Sequence, residues 1–566
     1  MQNRDDIFLL RKRKDLHHIS DGKDLPGKWF ECKKGLRQGD PMPPYLFILV
    51  ADILQCLVAA IGAEGGLQHP LDPSLPCPVL QYADDTLILL KAEPTQIAEV
   101  TRQLAAVFGC PVASFPQQYL GLPLSTAKLK LVDFHPLIAR VDRWLAGWCG
   151  LLLSSKRNWT LVDAVLTSLP TYAMGSLQLA EGTHASFERK CRAFFWANDT
   201  FVNGAQCKIA WSEVCKPCNR GDLGVRDMRL QNSCLLMKLL ARIHAPSFTG
   251  WQTWFSSQYG WRGIHDMGDA RRLDTPTWKS LLALLPLFRE RSTCSVGDAA
   301  TTSFWRDLWL GSATFELRFL ALFSHTKRPN ACVADSLQGL DAHLQPRLSA
   351  VAYSELASLM GEVRGVILRP GVLDERWMRS SERAFTARGA YQAAMAVHEL
   401  DTFAPMIWRS FAPGKCKFFL WLCHRQRLPC AALLHRRHII SSSACAFCGE
   451  VETIELLMFR CRHACAIWAV VAPGAPTALS VEDLCAARGA GMPPPTLPRL
   501  RATACVAVLW NIWKSRNAKV FRGLDLSPPD VARAVAADVS LWRWRCSRSI
   551  CKTILESWVQ CFAALL

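Results

Sequence analysis

The stretch Val79 to Leu90, VLQYADDTLILL, sets two adjacent carboxylates, Asp84 and Asp85, between apolar runs of strand type. Val79-Leu80 with Tyr82 on one side and Thr86 to Leu90 on the other write a β-hairpin with an acidic tip. Carboxylates presented this way suit a hard divalent cation. Mg²⁺ takes oxygen ligands, keeps several waters, and is held by one or two carboxylates together with the phosphates of a substrate. Two such ions clamp the attacking and leaving oxygens of an in-line phosphoryl transfer. Asp is also a common turn residue, because its side chain bonds its own backbone, so the four residues Tyr82 to Asp85 taken alone more often mark a solvated turn. The surrounding elements carry the rest of the argument.

Upstream, Trp29 to Gly35 leads as a short strand into Arg37-Gln38-Gly39-Asp40-Pro41, where Gly39 is free to take a backbone angle barred to other residues and Pro41 stops the strand. Pro43 and Pro44 suit a helical first turn, and Leu46, Phe47, Leu49, Val50, Ile53, Leu54 and Leu57 recur at helical spacing through Ile61. After the hairpin, Ile97, Val100, Leu104 and Val107 predict a helix over Pro94 to Phe108.

The 566 residues are enough for two to four domains, and with half of them hydrophobic and a fifth charged the composition is globular, which excludes a disordered tail. A net charge of +18 points to a polyanionic partner, because Lys and Arg that neutralise phosphates gain affinity by releasing counterions. The 21 Trp against 7 Tyr fit either an aromatic core or base-stacking platforms. Many of the 24 Cys lie in apolar segments, Cys56, Cys191, Cys234 and Cys423 among them, where a thiol acts as a small hydrophobe, and a reducing intracellular compartment is expected. No signal peptide is read at the start, where a four-residue apolar run is flanked by charges. Pro44 to Ala63 is the one candidate membrane span; Asp52 and Gln55 within it favour a buried helix of a soluble domain, so no membrane partner is expected. Arg11-Lys12-Arg13-Lys14 reads as a solvated charge run or as a nuclear address.

The order Gly35 to Pro41, Pro44-Tyr45-Leu46-Phe47, Tyr82-Ala83-Asp84-Asp85 and Phe115 to Ser125 resembles the palm of reverse transcriptases from plant non-LTR (LINE-type) retrotransposons. The resemblance implies an α+β fold: a ragged entry over 1–28, then a partial polymerase palm over 29–136, an antiparallel sheet with helices. A mainly helical thumb and connection region follows over 137–324, a linker and connecting segment over 325–384, a small zinc-binding-like α module over 385–480, and a C-terminal helical region over 481–566. It implies Mg²⁺ at Asp84 and Asp85, a nucleotide and template pocket lined by Arg37, Gln38 and Gly39, and Tyr82 near the primer terminus. The implied activity is RNA-directed DNA polymerisation, a nucleotidyl transfer to a DNA primer opposite an RNA template.

Three departures bear on that activity. Met42-Pro43 stands where relatives usually read Leu-Ser, and a segment normally found between the hairpin and Phe115 is missing. The family also supplies a first metal-binding Asp, flanked by Phe or Tyr, well before the Arg37 turn. None of Asp5, Asp6, Asp15, Asp21 or Asp24 sits in such a motif. The expectation is therefore a catalytically impaired polymerase with half its metal cage missing. The alternative is a non-catalytic, basic nucleic-acid-binding remnant; a third reading is a chain that does not fold.

Cys215 and Cys218 form a Cys-x₂-Cys without a close second pair, and zinc is not expected there. The clustered aromatics Phe304, Trp305 and Trp309 are expected in a core, and Phe385 to Tyr391 resembles a strand opening the last module. That module is similar to the reverse transcriptase zinc-binding domain through Lys417 to Leu422, Arg427-Leu428-Pro429, Cys445-x₂-Cys448, Glu452-Thr453, Cys461 and Trp468. Leu456 occupies the place of the family's His ligand. Cys465, four residues after Cys461 and on the same helical face, completes a candidate Zn²⁺ set of Cys445, Cys448, Cys461 and Cys465, whereas His463 points away. The competing reading is four reduced core cysteines. Helices are expected over 502–524 and near Val531 to Trp544, and no ribonuclease H carboxylate set is evident.

Overall fold

The computed structural model describes residues 16–17, 30–31, 41–63, 79–82, 85–89, 102, 114–125, 127–149, 155–244, 274–379, 384–471 and 498–564. The chain divides into two compact units, Met1–Thr126 and Ala127–Leu566.

In the first unit the strands pair as separate two-stranded antiparallel ribbons: β1 (Leu16–His17) with β2 (Phe30–Glu31), β3 (Val79–Tyr82) with β4 (Asp85–Ile88), and β5 (Gln117–Tyr119) with β6 (Leu122–Leu124). The expected acidic hairpin is thus formed, in the register Val79↔Ile88 to Tyr82↔Asp85. In the β5–β6 hairpin Leu120 and Gly121 both take positive φ, 51° and 76°, the two-residue turn whose twist matches that of its strands. The helix that follows the Arg37 turn runs from Met42 to Ala63 as its periodicity predicts. It is not the buried helix expected. Among the described residues only Val58 on it is buried, packed with Leu54, Val79 and Ile88, while Tyr45, Phe47, Ile48, Leu49, Val50 and Ile53 face outward. The helix is apolar on nearly every side, and a two-stranded ribbon can cover only one stripe of it. By length and composition alone it could cross a membrane. The expected helix over Pro94 to Phe108 lies almost wholly outside the described residues.

The second unit is mainly helical. Met228–Ile243 starts where the Asp227 carboxylate accepts the amides of Arg229 and Leu230, and it packs against Pro276–Arg291 and Ala387–Met395 around Met237, Leu240, Trp278 and Phe288. A second core gathers Phe304, Trp305, Trp309 and Phe315, all buried as expected of that aromatic cluster, with Val333, Leu340 and Leu359. Segment 325–384, expected as a linker, is therefore largely structured. Its helices Val333–His343 and Ala350–Val363 supply core residues, because their apolar positions recur at helical spacing between the prolines. Phe385 to Tyr391, expected as a strand, is helical from Ala387. Thr386 caps that helix by accepting the Gly389 amide, and ahead of it Ala384 bridges strand Glu375–Met378 at Trp377.

Two buried acids hold the second core together. The Asp374 carboxylate accepts the amides of Gly297 (2.8 Å), Ala299 (2.9 Å) and Thr301 (3.1 Å) and the hydroxyls of Thr301 (3.0 Å) and Thr302 (2.8 Å). A Cβ on Gly297 would stand 2.1 Å from the Val372 carbonyl oxygen, so the turn can close only on glycine. Asp307, 1% exposed, lies between the guanidinium groups of Arg289 (3.3 Å) and Arg376 (3.1 Å). Removing one member of such a group leaves uncompensated charge out of water. Asp307→Ala should therefore lower the stability of the full chain by about 3–5 kcal/mol in denaturant unfolding. A loss within the error of the measurement would mean that the two guanidinium groups find other partners.

Candidate metal centre

The thiols are brought together by two short elements. From Cys445 the chain makes a tight loop: the Cys445 amide donates to the Glu450 carbonyl (2.7 Å), the Gly449 amide donates to the Cys445 carbonyl (2.9 Å), and Ala444 bridges Val451. Gly449 takes φ 79°, the left-handed conformation that glycine adopts without strain. The loop turns the amides of Phe447 and Cys448 onto the Cys445 sulfur. Cys461 arrives from the other side, after a single π-helical turn over Leu456–Arg460 and directly before helix Arg462–Val471. Its sulfur accepts from the amides of His463 and Ala464 in the first turn of that helix.

The Sγ atoms of Cys445, Cys448 and Cys461 all lie within 4.8 Å of one another, and those of Cys445 and Cys461 are 3.7 Å apart. Zn–S bonds of about 2.3 Å in a tetrahedron put neighbouring sulfurs about 3.8 Å apart, so this pair already has the spacing of a zinc edge. The hydrogen bond between the two sulfurs, followed by the loop amides, draws the Cys445 pKa down, while the same bond pushes Cys461 up. Sulfurs ringed by amide donors are suited to carry negative charge, the form in which thiols bind metal. Three thiolates in this arrangement fit zinc.

Cys465 is not in the cluster. It is exposed, and its thiol donates to the Phe459 carbonyl at 3.2 Å. Leu456, in the position where the resemblance expects histidine, is buried and carries no donor atom on its side chain. His463 serves elsewhere, as its place two residues along the helix implied: its ring stacks on Phe447 at 4.0 Å, and its Nε2 lies 2.8 Å from the Ser515 hydroxyl.

A buried ion pair, which inspection of the sequence did not anticipate, anchors the loop. Glu452 is 0% exposed; its Oε1 accepts the Ala431 amide (2.7 Å) and Arg516 Nη2 (2.7 Å), and its Oε2 accepts Arg516 Nε (3.2 Å). Arg516 sits on the long helix Pro498–Arg522, so one carboxylate ties the thiol loop to two other elements. The sequence singled out Glu452 only through the family resemblance and gave no sign of its partner Arg516.

The hairpin residues stand differently. Asp85 opens β4 and its Oδ2 accepts the Leu120 amide at 3.2 Å, so part of its acceptor capacity serves the β5–β6 turn. Tyr82, opposite Asp85, is 66% exposed. Asp84, Arg37, Gln38 and Gly39 lie outside the described residues. Among the described residues, the only group of metal-binding type is the thiol cluster, and it does not include Cys215 or Cys218. Cys218 donates to the Leu223 carbonyl at 3.4 Å, and burial pushes the Cys215 thiol up.

Comparison with known proteins places this loop in context. Residues 385–468 match the family described as zinc-binding in reverse transcriptase. A putative ribonuclease H protein of Arabidopsis thaliana is 26% identical over 371 residues, 62% of this chain and 58% of that protein. The chain thus spans less than two thirds of that relative's length. The family match covers the module that carries Cys445, Cys448 and Cys461.

The geometry sets an expectation for metal content. Elemental analysis of purified full chain should find zinc in the wild type and in Cys465→Ser, and a loss of most of it in Cys448→Ser. Equal loss in both variants would mean that the Cys465 thiol leaves Phe459 and ligates.

Proposed function

We propose that this chain derives from the reverse transcriptase of a LINE-type retrotransposon and acts mainly by binding nucleic acid, its nucleotidyl transfer being weak or lost. The observation that carries the reading is the convergence of three thiols inside the stretch that matches the zinc-binding family, on a chain of net charge +18. Cys445, Cys448 and Cys461 would hold the ion. Bound zinc would supply a cross-link between the Cys445 loop and the helix that begins at Arg462, with no part in chemistry. The Glu452–Arg516 pair fixes that loop on helix Pro498–Arg522.

For polymerisation the roles fall to the hairpin. Asp84 and Asp85 would take Mg²⁺, Arg37, Gln38 and Gly39 would line the nucleotide pocket, and Tyr82 would lie near the end of a DNA primer on an RNA template. Two metal ions need carboxylates from more than one strand. Asp85 Oδ2 is engaged by the Leu120 amide, and none of the acids ahead of the Arg37 turn sits in the family's first metal-binding motif, which favours binding over catalysis. An intracellular, nuclear site of action would suit such a protein.

Labelled nucleotide incorporation on an RNA template with annealed DNA primer and Mg²⁺, run beside Asp84→Ala, separates the two roles. The expected result is no incorporation by either protein, with salt-sensitive binding of the template by both. Incorporation by the wild type that Asp84→Ala abolishes would overturn the impaired reading and restore a working polymerase.

A further inference from the structure

Within the Ala127–Leu566 unit, cations from four separate segments converge, and three of them have no paired acid among the described residues. Lys156, on helix Ser155–Leu161, lays its stem over Gly414, where a Cβ would meet its Cγ at 2.6 Å, and sets its ammonium 3.3 Å from the centre of the Trp159 ring. Trp159 packs edge-on against Trp408, with ring centres 5.4 Å apart. Lys417, on helix Gly414–His424, donates to the Trp408 carbonyl at 2.7 Å. Arg499, at the start of helix Pro498–Arg522, covers the Phe411 ring at 3.8 Å. Arg545, in the turn after helix Pro528–Trp542, completes the group, next to Cys546, whose thiol lies near Arg499 and Lys552.

These charges feel one another. Burial first, then Arg545, Arg499 and Lys156, push the Lys417 ammonium down to about 8. The acids in reach are engaged elsewhere: Asp538 accepts from Asn511 and Lys514, and Glu556 from Arg543. Asp163 acts on Lys156 and also on Arg226. Among the described residues no acid pairs with Lys417, Arg499 or Arg545. Like charges held this close destabilise the chain until an anion fills the space between them.

We propose that this face, formed by Lys156, Lys417, Arg499 and Arg545 beside Trp159 and Trp408, is where a single nucleic-acid strand lays its phosphates. The inference rests on the nucleic-acid-binding reading above and names its surface. Phosphate groups suit the guanidinium forks and ammonium points, and the partly exposed indoles offer stacking area beside them. No residue of the thiol cluster takes part, so the face and the metal centre can be tested separately.

The test is fluorescence anisotropy of the full chain with a labelled single-stranded RNA oligonucleotide across a salt series. The face variant is Lys156→Gln with Arg499→Gln and Arg545→Gln; Lys417 is kept because of its bond to Trp408. The control variant, Lys327→Gln with Arg347→Gln and Arg364→Gln, removes the same net charge from exposed positions on or beside the second core. The control should unfold at the wild-type midpoint and the face variant no lower, since it relieves like-charge repulsion. The face variant should bind about a hundredfold more weakly near 0.1 M salt, with a log–log salt slope shallower by about 2, while the control stays close to wild type. Equal weakening in the two variants would overturn the face and leave the binding reading standing. A wild-type chain that does not bind at low salt would sink both.

Discussion

The carboxylate of Glu452 and the guanidinium of Arg516 are both withdrawn from water, and three parts of the second unit meet at that pair. Taking either charge out of water is expensive, and the cost is offset only when every hydrogen-bonding position is filled. Here Glu452 accepts twice from Arg516 and once from the Ala431 amide. The pair contributes less to net stability than to placement. It fixes how the loop carrying Cys445 and Cys448 lies against helix Pro498–Arg522, and the stack of His463 on Phe447, with Ser515 behind it, braces the same contact a turn away. A thiol cluster needs such a frame, because three sulfurs this close repel one another once ionised.

Much of this was legible in the residues. Two apolar runs of strand type around Asp84 and Asp85 wrote a hairpin, and the strands pair from Val79↔Ile88 to Tyr82↔Asp85. Helical spacing located Met42–Ala63 to within a few residues, and the family resemblance pointed to the segments that form Gly414–His424 and Pro498–Arg522. What could not be read was which apolar face finds a partner. The helix from Met42 shows the same periodicity whether covered or bare, and in the structure it is mostly bare. The linker reading of 325–350 failed for a related reason: Asp335, Ser336 and Asp341 lie within helix Val333–His343 and mark no turn, and Val333 and Leu340 point into an aromatic core contributed by other parts of the chain.

The candidate site was legible by type and only partly by geometry. The spacing of Cys445 and Cys448 and their distance to Cys461 were enough to bring those three together. Helical spacing alone put Cys465 beside Cys461, yet the backbone ahead of the helix rotates it toward the Phe459 carbonyl. Side-chain partnerships such as Glu452 with Arg516, or Asp374 with the 297–302 turn, join residues tens of positions apart and leave no periodic trace. The two chemistries the sequence suggested also differ in what they ask of the fold. Hard-cation carboxylates can sit at an exposed hairpin tip, whereas soft thiolates need a built pocket of amides, and such a pocket surrounds Cys445 and Cys461.

The widened turn over Leu456–Arg460 places one more residue in its loop than a regular helix would. Each residue of an α-helix turns the chain by about 100°, so loss of any one of these five would let the turn relax to regular geometry and swing Cys461 away from Cys445. The segment is thus tolerant in composition and intolerant in length. Apolar exchanges such as the leucine at 456 leave the sulfur's bearing unchanged, while a single in-frame codon deletion would scatter the cluster without touching a cysteine.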